Sequence, residues 1–243
     1  MKKSNILVLA GLAFFLCTLT AFNFIMKAEY ETGHYKDPYF SFVQKDFAGF
    51  TSVEVNGASR MTVYIVQGDY KVMAHERVQE YLQFKQQGNK LIVTVNENDD
   101  FMKLYGSHSV LISCPTLTSV TANGSYTFKG NPITDKAFDY LRNKVLVQGF
   151  KLDSLQVTQD HATQVDLEGS TVGKLSAVVG LTPGSTSVLS IGGTNKIQAA
   201  DLQVNSISTL NLHNVRIPAV SYQFSDSARV FLSGTALASL NRK

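Results

Sequence analysis

From Val53 onward the chain alternates apolar and polar residues in short runs broken by Gly, Asn and Asp. Val53 and Val55 lead into Asn56-Gly57. Met61, Val63 and Ile65 alternate up to Gln67-Gly68-Asp69, and Tyr70, Val72 and Ala74 follow. A period of two places successive side chains on opposite faces of a strand, so each run predicts a half-buried strand ended by a turn. The runs Tyr81–Phe84 and Leu91–Val95 flank Gln87-Gly88-Asn89 and predict a hairpin. Val110–Cys114 predicts a further strand, and no window carries the apolar stripe of a surface helix.

After Leu117 the spacing becomes regular. One motif recurs: apolar, any, apolar, any, then Gly or Asn. Its copies begin at Tyr126, Val145, Val165, Leu189, Leu210 and Val230, spaced by 19, 20, 24, 21 and 20 residues. A second apolar strand precedes most copies, at Leu152/Leu155/Val157, Val172/Leu175/Ala177, Leu202/Val204 and Ile217/Val220/Tyr222. The long interval holds Leu181–Ser187, which reads as a loop insertion. A rung of about 20 residues cannot bury its own apolar face. Stacked about 4.8 Å apart, successive rungs pair their backbones and bury a continuous column of side chains. Gly and Asn suit the corners because such positions call for positive φ. The expected fold class is therefore all-β, a parallel β-helix-like solenoid of about 20-residue rungs, favoured over an evenly spaced β-sandwich. The last copy runs into Thr235–Leu240, a rung begun and cut off. Arg242 and Lys243 beyond it would discourage end-to-end pairing.

The N-terminus follows a different pattern. Ile6 to Met26 is a run of 21 residues without a charge, with Lys2 and Lys3 before it and Lys27 after it. That length crosses a bilayer as a helix, and the flanking lysines favour a cytoplasmic N-terminus. An uncleaved signal anchor is the preferred reading. It places the following domain in the periplasm, tethered to the inner membrane. A signal peptide cleaved after Leu19-Thr20-Ala21 is the alternative, and it too exports the domain. Cys17 follows the bulky Phe14-Phe15-Leu16, which argues against lipidation. The chain is thus read as an anchor or signal (1–27), an aromatic-rich linker or cap (28–47) and a β-domain (48–243). The linker carries Tyr30, Tyr35, Tyr39, Phe40 and Phe42, either at the headgroup layer or as an edge strand over the first rung.

Charge changes the picture little. Beyond residue 27 the chain carries nineteen basic and nineteen acidic residues, with no basic stripe, so a nucleic-acid partner is not expected. The two cysteines, Cys17 and Cys114, are not expected to pair, and Cys114 reads as a small buried hydrophobe.

Candidate chemistry is sparse. The five histidines, His34, His75, His108, His161 and His213, show no metal-ligand spacing. His161 beside Asp160, and His108 between two serines, offer parts of a triad without a nucleophile elbow. The acidic run from Asn96 to Asp100 lacks the alternation of a calcium loop and reads as a solvated turn. Outward positions of the repeated motif include Leu146, Gln148, Asp166, Glu168, Ser190, Asn211, His213, Phe231 and Ser233. Only Asp166 and Glu168 place two carboxylates on one rung, without aligned partners on the next, so a polysaccharide-cleaving site is not indicated. Asp166, Glu168, Ser190, Asn211 and His213 instead form a candidate binding face. No catalytic residue, metal or cofactor is expected.

The stretch from about Phe47 to Leu240 resembles the bacterial family named putative auto-transporter adhesin, head GIN domain. The resemblance is carried by Phe50–Gly57, Met61–Gly68 with Val72, Asn89–Val93, Val110–Leu117 and Ala122–Ser125, then by the repeats. It implies a right-handed parallel β-helix-like fold in an envelope protein of Bacteroidota-type bacteria. Where the family carries Gly-Ser-Gly steps, this chain has His161-Ala-Thr163, Asn211 and Asp226-Ser227. The expected function is a non-catalytic binding or adhesion module for an envelope glycan or protein. The alternatives are a self-associating envelope scaffold and, after that, a carbohydrate-active enzyme.

Overall fold

The computed structural model describes residues 3–37, 39–97, 108–136 and 143–239. It divides into two units, Met1–Phe42 and Val43–Lys243. In the first, the uncharged run forms a single helix, α1 (Lys3–Thr32), with no buried residue. It is long and apolar enough to cross a membrane, a property that signal sequences share. The aromatic segment after it packs on itself: Tyr30 stacks on Tyr35 at 4.8 Å, and His34 on Phe40 at 3.6 Å.

The alternating runs are strands. In chain order they are β1 (Phe42–Lys45), β2 (Ser52–Asn56), β3 (Thr62–Gln67), β4 (Lys71–His75), β5 (Leu82–Gln87) and β6 (Lys90–Glu97). Next come β7 (His108–Cys114), β8 (Ser119–Asn123), β9 (Ser125–Phe128), β10 (Asn131–Thr134), β11 (Val145–Gln148), β12 (Lys151–Asp160) and β13 (Gln164–Glu168). The last are β14 (Thr171–Val179), β15 (Val188–Ile191), β16 (Lys196–Val204), β17 (Thr209–His213), β18 (Ala219–Phe224) and β19 (Arg229–Ser233). In β6 the period of two is plain: Leu91, Val93 and Val95 are buried while Ile92 and Thr94 are partly open.

From β11 onward successive strands do not pair with each other. Those strands alternate between two sheets, whose orders are β1-β4-β7-β3-β11-β13-β15-β17-β19 and β10-β9-β6-β2-β8-β12-β14-β16-β18 among the described residues. From β11 and β12 onward every pairing is parallel. The register follows the sequence repeat. Val145 pairs with Val165, Val165 with Leu189, Leu189 with Leu210, and Leu210 with Val230. In the other sheet Leu155, Leu175, Ala200 and Val220 stand in one row. The inward side chains of both sheets form one hydrophobic cluster. The N-terminal part differs: β4 against β7, β5 against β6 and β10 against β9 are antiparallel. The β5–β6 hairpin is the one its turn residues predict.

Two expectations about register are corrected. The copy at Tyr126 does not stack on the copy at Val145. It is β9, in the opposite sheet, paired antiparallel with β10. On the side away from Val165, the neighbour of Val145 is Val63. The strand taken as Leu202/Val204 is also shifted: Ala200 and Leu202 align with Leu175 and Ala177. The loop insertion holds, with Leu181–Ser187 lying between β14 and β15.

The corners behave as their residues require. Gly149, Gly169, Asn214 and Gly234 all have positive φ, while Gly193 does not. Gly180, which opens the loop insertion, has φ +84°, and a Cβ there would lie 2.8 Å from the Asn205 carbonyl oxygen. An L side chain is excluded at Gly180 on both counts. Cys114 is buried, and burial pushes its thiol up to about 12, as suits a small hydrophobe.

Candidate functional site

Parallel register places the outward residues of one motif position side by side. Tyr64, Leu146, Asp166, Ser190, Asn211 and Phe231 form one such row across the first sheet. Three of the predicted site residues are therefore neighbours: Asp166, Ser190 and Asn211. The Asn211 amide Nδ2 donates to Ser190 Oγ at 3.2 Å. Glu168 and His213 fall one step along the strands and are kept apart. Strand β15 ends at Ile191, and Gly192 follows as a turn whose N–H donates to the Leu167 carbonyl. Ser233 Oγ lies 2.6 Å from His213 Nδ1, and Asn214 Nδ2 lies 3.3 Å from His213 Nε2.

The row is less open than the sequence implies. Asp166 is only 7% exposed and Leu146 is buried. Lys144 Nζ donates to Asp166 Oδ2 at 2.7 Å, and Gln164 Nε2 to Oδ1 at 2.8 Å. Burial pushes the Lys144 ammonium down, but the Asp166 carboxylate outweighs it, so Lys144 lies above its ordinary value. Asp166 is thus a neutralised, hydrogen-bonded group. Sequence reading missed Lys144, which sits one residue before the motif on the neighbouring strand. The more open part of the face is polar: Glu168, Ser190, Asn211, His213 and Ser233, with Phe231 beyond.

The Asp160–His161 pair serves a different purpose from a triad. Asp160 Oδ1 accepts the main-chain N–H groups of His161, Leu181 and Thr182 at 2.9, 3.1 and 2.9 Å, and its Oδ2 accepts the Thr182 hydroxyl at 2.6 Å. Burial raises the Asp160 carboxyl, but these donors prevail and hold it below its ordinary value. Ser185 and Ser187 donate to the main-chain carbonyl of His161, not to its ring. The ring Nδ1 lies 2.9 Å from Asn123 Oδ1. The group is a clasp for the loop insertion. Ser107 and the His108 side chain lie outside the described residues.

A second polar cluster was not legible at all. Arg60 reaches Glu97 at 3.4 Å and Asp135 at 4.0 Å, and lies over the Tyr126 ring at 4.9 Å. Ser59 Oγ donates to Asp135 at 2.7 Å. Glu97 is 1% exposed, and its Oε1 has no hydrogen-bond partner among the described residues. Burial holds the Glu97 carboxyl above its ordinary value against the pull of Arg60, and Tyr126 is pushed up to about 12, chiefly by burial. Glu97 is therefore not part of a solvated turn. Asn98, Asp99 and Asp100 lie outside the described residues. No group of three or more His, Cys, Asp or Glu among the described residues is placed to hold a metal.

A shallow open cleft of about 350 Å³ lies at Gln44–Ala48 and Tyr70, in the segment read as a linker or cap. That is near the lower end for ligand pockets. It is lined by Phe47 and Tyr70 together with Lys45, whose ammonium donates to Gln79 at 3.1 Å.

No family model matches the chain, and no curated protein matches it. Among solved structures it is similar to a putative adhesin from Parabacteroides distasonis ATCC 8503, at 10% identity and a TM-score of 0.51, over 78% of this chain and 71% of the other. A putative adhesin from Bacteroides fragilis NCTC 9343 covers 79% and 97% at 14% identity, with a TM-score of 0.42. A putative lipid binding protein from Parabacteroides distasonis covers 79% and 94% at 13% identity, with a TM-score of 0.28. The first likeness speaks for a shared fold and for nothing further.

Proposed function

We propose that this chain is an extracytoplasmic, membrane-tethered binding module of the head GIN type, built on a right-handed parallel β-solenoid, with no catalytic role. The observation that carries the reading is the in-register outer row, in which Asp166 is neutralised by Lys144 and the open positions are Ser190 and Asn211, with His213 one step on. A flat ladder of hydroxyl and amide groups suits hydrogen bonding to the hydroxyls of an envelope glycan or to a protein surface. Hydrolysis of a glycoside needs two free carboxylates across the bond. Here Asp166 is already spent on Lys144 and Gln164. The similar structure with a TM-score of 0.51 is named a putative adhesin, which is in keeping with a binding role and adds no residue-level support.

The test is binding of the full chain in detergent micelles to a printed array of bacterial glycans and to envelope protein extracts. The expected result is saturable binding to at least one of them, reduced tenfold or more by Asn211→Ala with His213→Ala. Binding to none, or binding that both substitutions leave unchanged, would remove this face from the account. Cleavage of any polysaccharide in the array would overturn the non-catalytic reading.

A further inference from the structure

The apolar run of α1 stops before the helix does. Ile6 to Met26 is 21 residues, about 31 Å of helix, which matches the hydrocarbon thickness of a bilayer. The whole of α1 is 30 residues, about 45 Å, which matches the thickness with both headgroup layers included. Tyr30 lies four residues past Met26, about 6 Å along the axis. In a spanning helix that is headgroup depth. The chain then turns back. Gly33 takes φ +73°, and its N–H donates to the Tyr30 carbonyl at 3.2 Å, which ends α1. In the short turn His34–Lys36, the N–H groups of Lys36 and Asp37 donate to the Gly33 and His34 carbonyls. This turn brings rings to the helix end. Tyr35 stacks on Tyr30 with 17° between the ring planes, His34 on Phe40 with 18°, and Tyr39 meets Phe42 edge-on at 5.3 Å. The rings pack on one another and still face outward: Tyr30 is 65% exposed, Tyr35 57% and Phe40 55%.

We propose that Tyr30, Tyr35 and Phe40 form a collar that sits in the lipid headgroup layer and fixes the depth of α1. The inference rests on the reading of α1 as an uncleaved anchor. Tyrosine suits that layer because its ring is apolar while its hydroxyl stays hydrated. Position along the helix favours lipid over a protein partner. The collar continues the apolar run, and its first ring reaches headgroup depth as soon as that run fills the hydrocarbon. Charge does not select an anionic surface, since Lys27 and Lys36 are offset by Glu29, Glu31 and Asp37. Lys27 already pairs with Glu31 at 3.7 Å, and Glu29 lies 3.7 Å from His34 Nδ1. The rings, not the charges, therefore hold the segment at the surface.

The experiment uses the full chain with Cys17→Ser in phosphatidylcholine vesicles, which carry no net charge. A nitroxide is attached at Lys36 in one protein and at Leu16 in another, through cysteine substitution; Cys114 is buried and stays unlabelled. Oxygen concentrates in hydrocarbon and a nickel chelate in water, so their relative effects on the nitroxide report its depth. The Leu16 label is expected in the hydrocarbon and the Lys36 label at the interface. Tyr30→Ser, Tyr35→Ser and Phe40→Ser together are expected to raise nickel access at Lys36 about threefold or more, with the Leu16 label still in the hydrocarbon. A Lys36 label already open to nickel, or one that the three substitutions leave unchanged, would overturn the collar and leave the anchor standing if the Leu16 label is deep. A Leu16 label open to nickel would overturn both.

Discussion

Leu175 and Val220 stand in the same inward row, two strands apart, yet their surroundings differ. Leu175 lies between β12 and β16 and is fully buried; Val220 lies on the last strand and is half-buried. The two rungs are written in the same pattern. Position in the stack, not residue type, decides how much each apolar side chain contributes. A strand with a neighbour on each side buries its inward row more fully than one with a single neighbour among the described residues. Apolar side chains in the middle strands are sealed, whereas those of β18 and β19 are partly open. The N-terminal side shows another solution, in which antiparallel β4, β5 and β10 join the parallel rows.

The comparison predicts a gradient. Leu175→Ala should destabilise the domain by about 3 kcal/mol, because it opens a cavity in a sealed column. The check is the shift in urea midpoint against the parent. Val220→Ala in the same row should cost about 1 kcal/mol or less; equal losses at both positions would remove the distinction between middle and end. Asp160→Ala should cost about 2 kcal/mol, since it leaves the N–H groups of Leu181 and Thr182 without their acceptor. Its effect should appear first as faster hydrogen exchange in residues 181–187.

Smaller effects concern pH. The Asp160 carboxyl is held below its ordinary value of 3.8, so its contribution is present above that pH and is lost as pH falls through the lower folded value. Glu97 is held above its ordinary value of 4.5, so the folded state favours its protonated form. Its contribution is complete below pH 4.5 and is lost as pH rises through the folded value. Glu97→Gln should flatten that decline, an effect under about 1 kcal/mol that comparison of urea midpoints at pH 4 and 7 would register.

Part of the fold was legible because the evenly spaced apolar positions of the later strands are brought into parallel register. The motif positions at Val145, Val165, Leu189, Leu210 and Val230 are register neighbours. Where the repeat is ambiguous, reading fails. Tyr126–Gly130 has the right letters but lies in the other sheet. The apolar alternation around Ala200 fits two registers, and the small alanine hides the true one. Three residues of the candidate face, Asp166, Ser190 and Asn211, were legible as one row, while Glu168 and His213 fall outside it and the ion pair of Asp166 was not legible. Lys144 neutralises Asp166 from the neighbouring strand, and Arg60, Glu97 and Asp135 meet from distant positions that no local pattern connects.

The claim on which the rest depends is the unbroken parallel row from β3 to β19. Spin labels at Tyr64 and Phe231, in a chain carrying Cys17→Ser, would measure it by electron double resonance. Both residues are in the outer row, five strand steps apart. At about 4.8 Å per step the backbone separation should be near 24 Å, and one narrow distribution around that value, widened by the label arms, is expected. A broad distribution, or one centred well beyond 35 Å, would contradict the parallel row and the proposed binding face built on it.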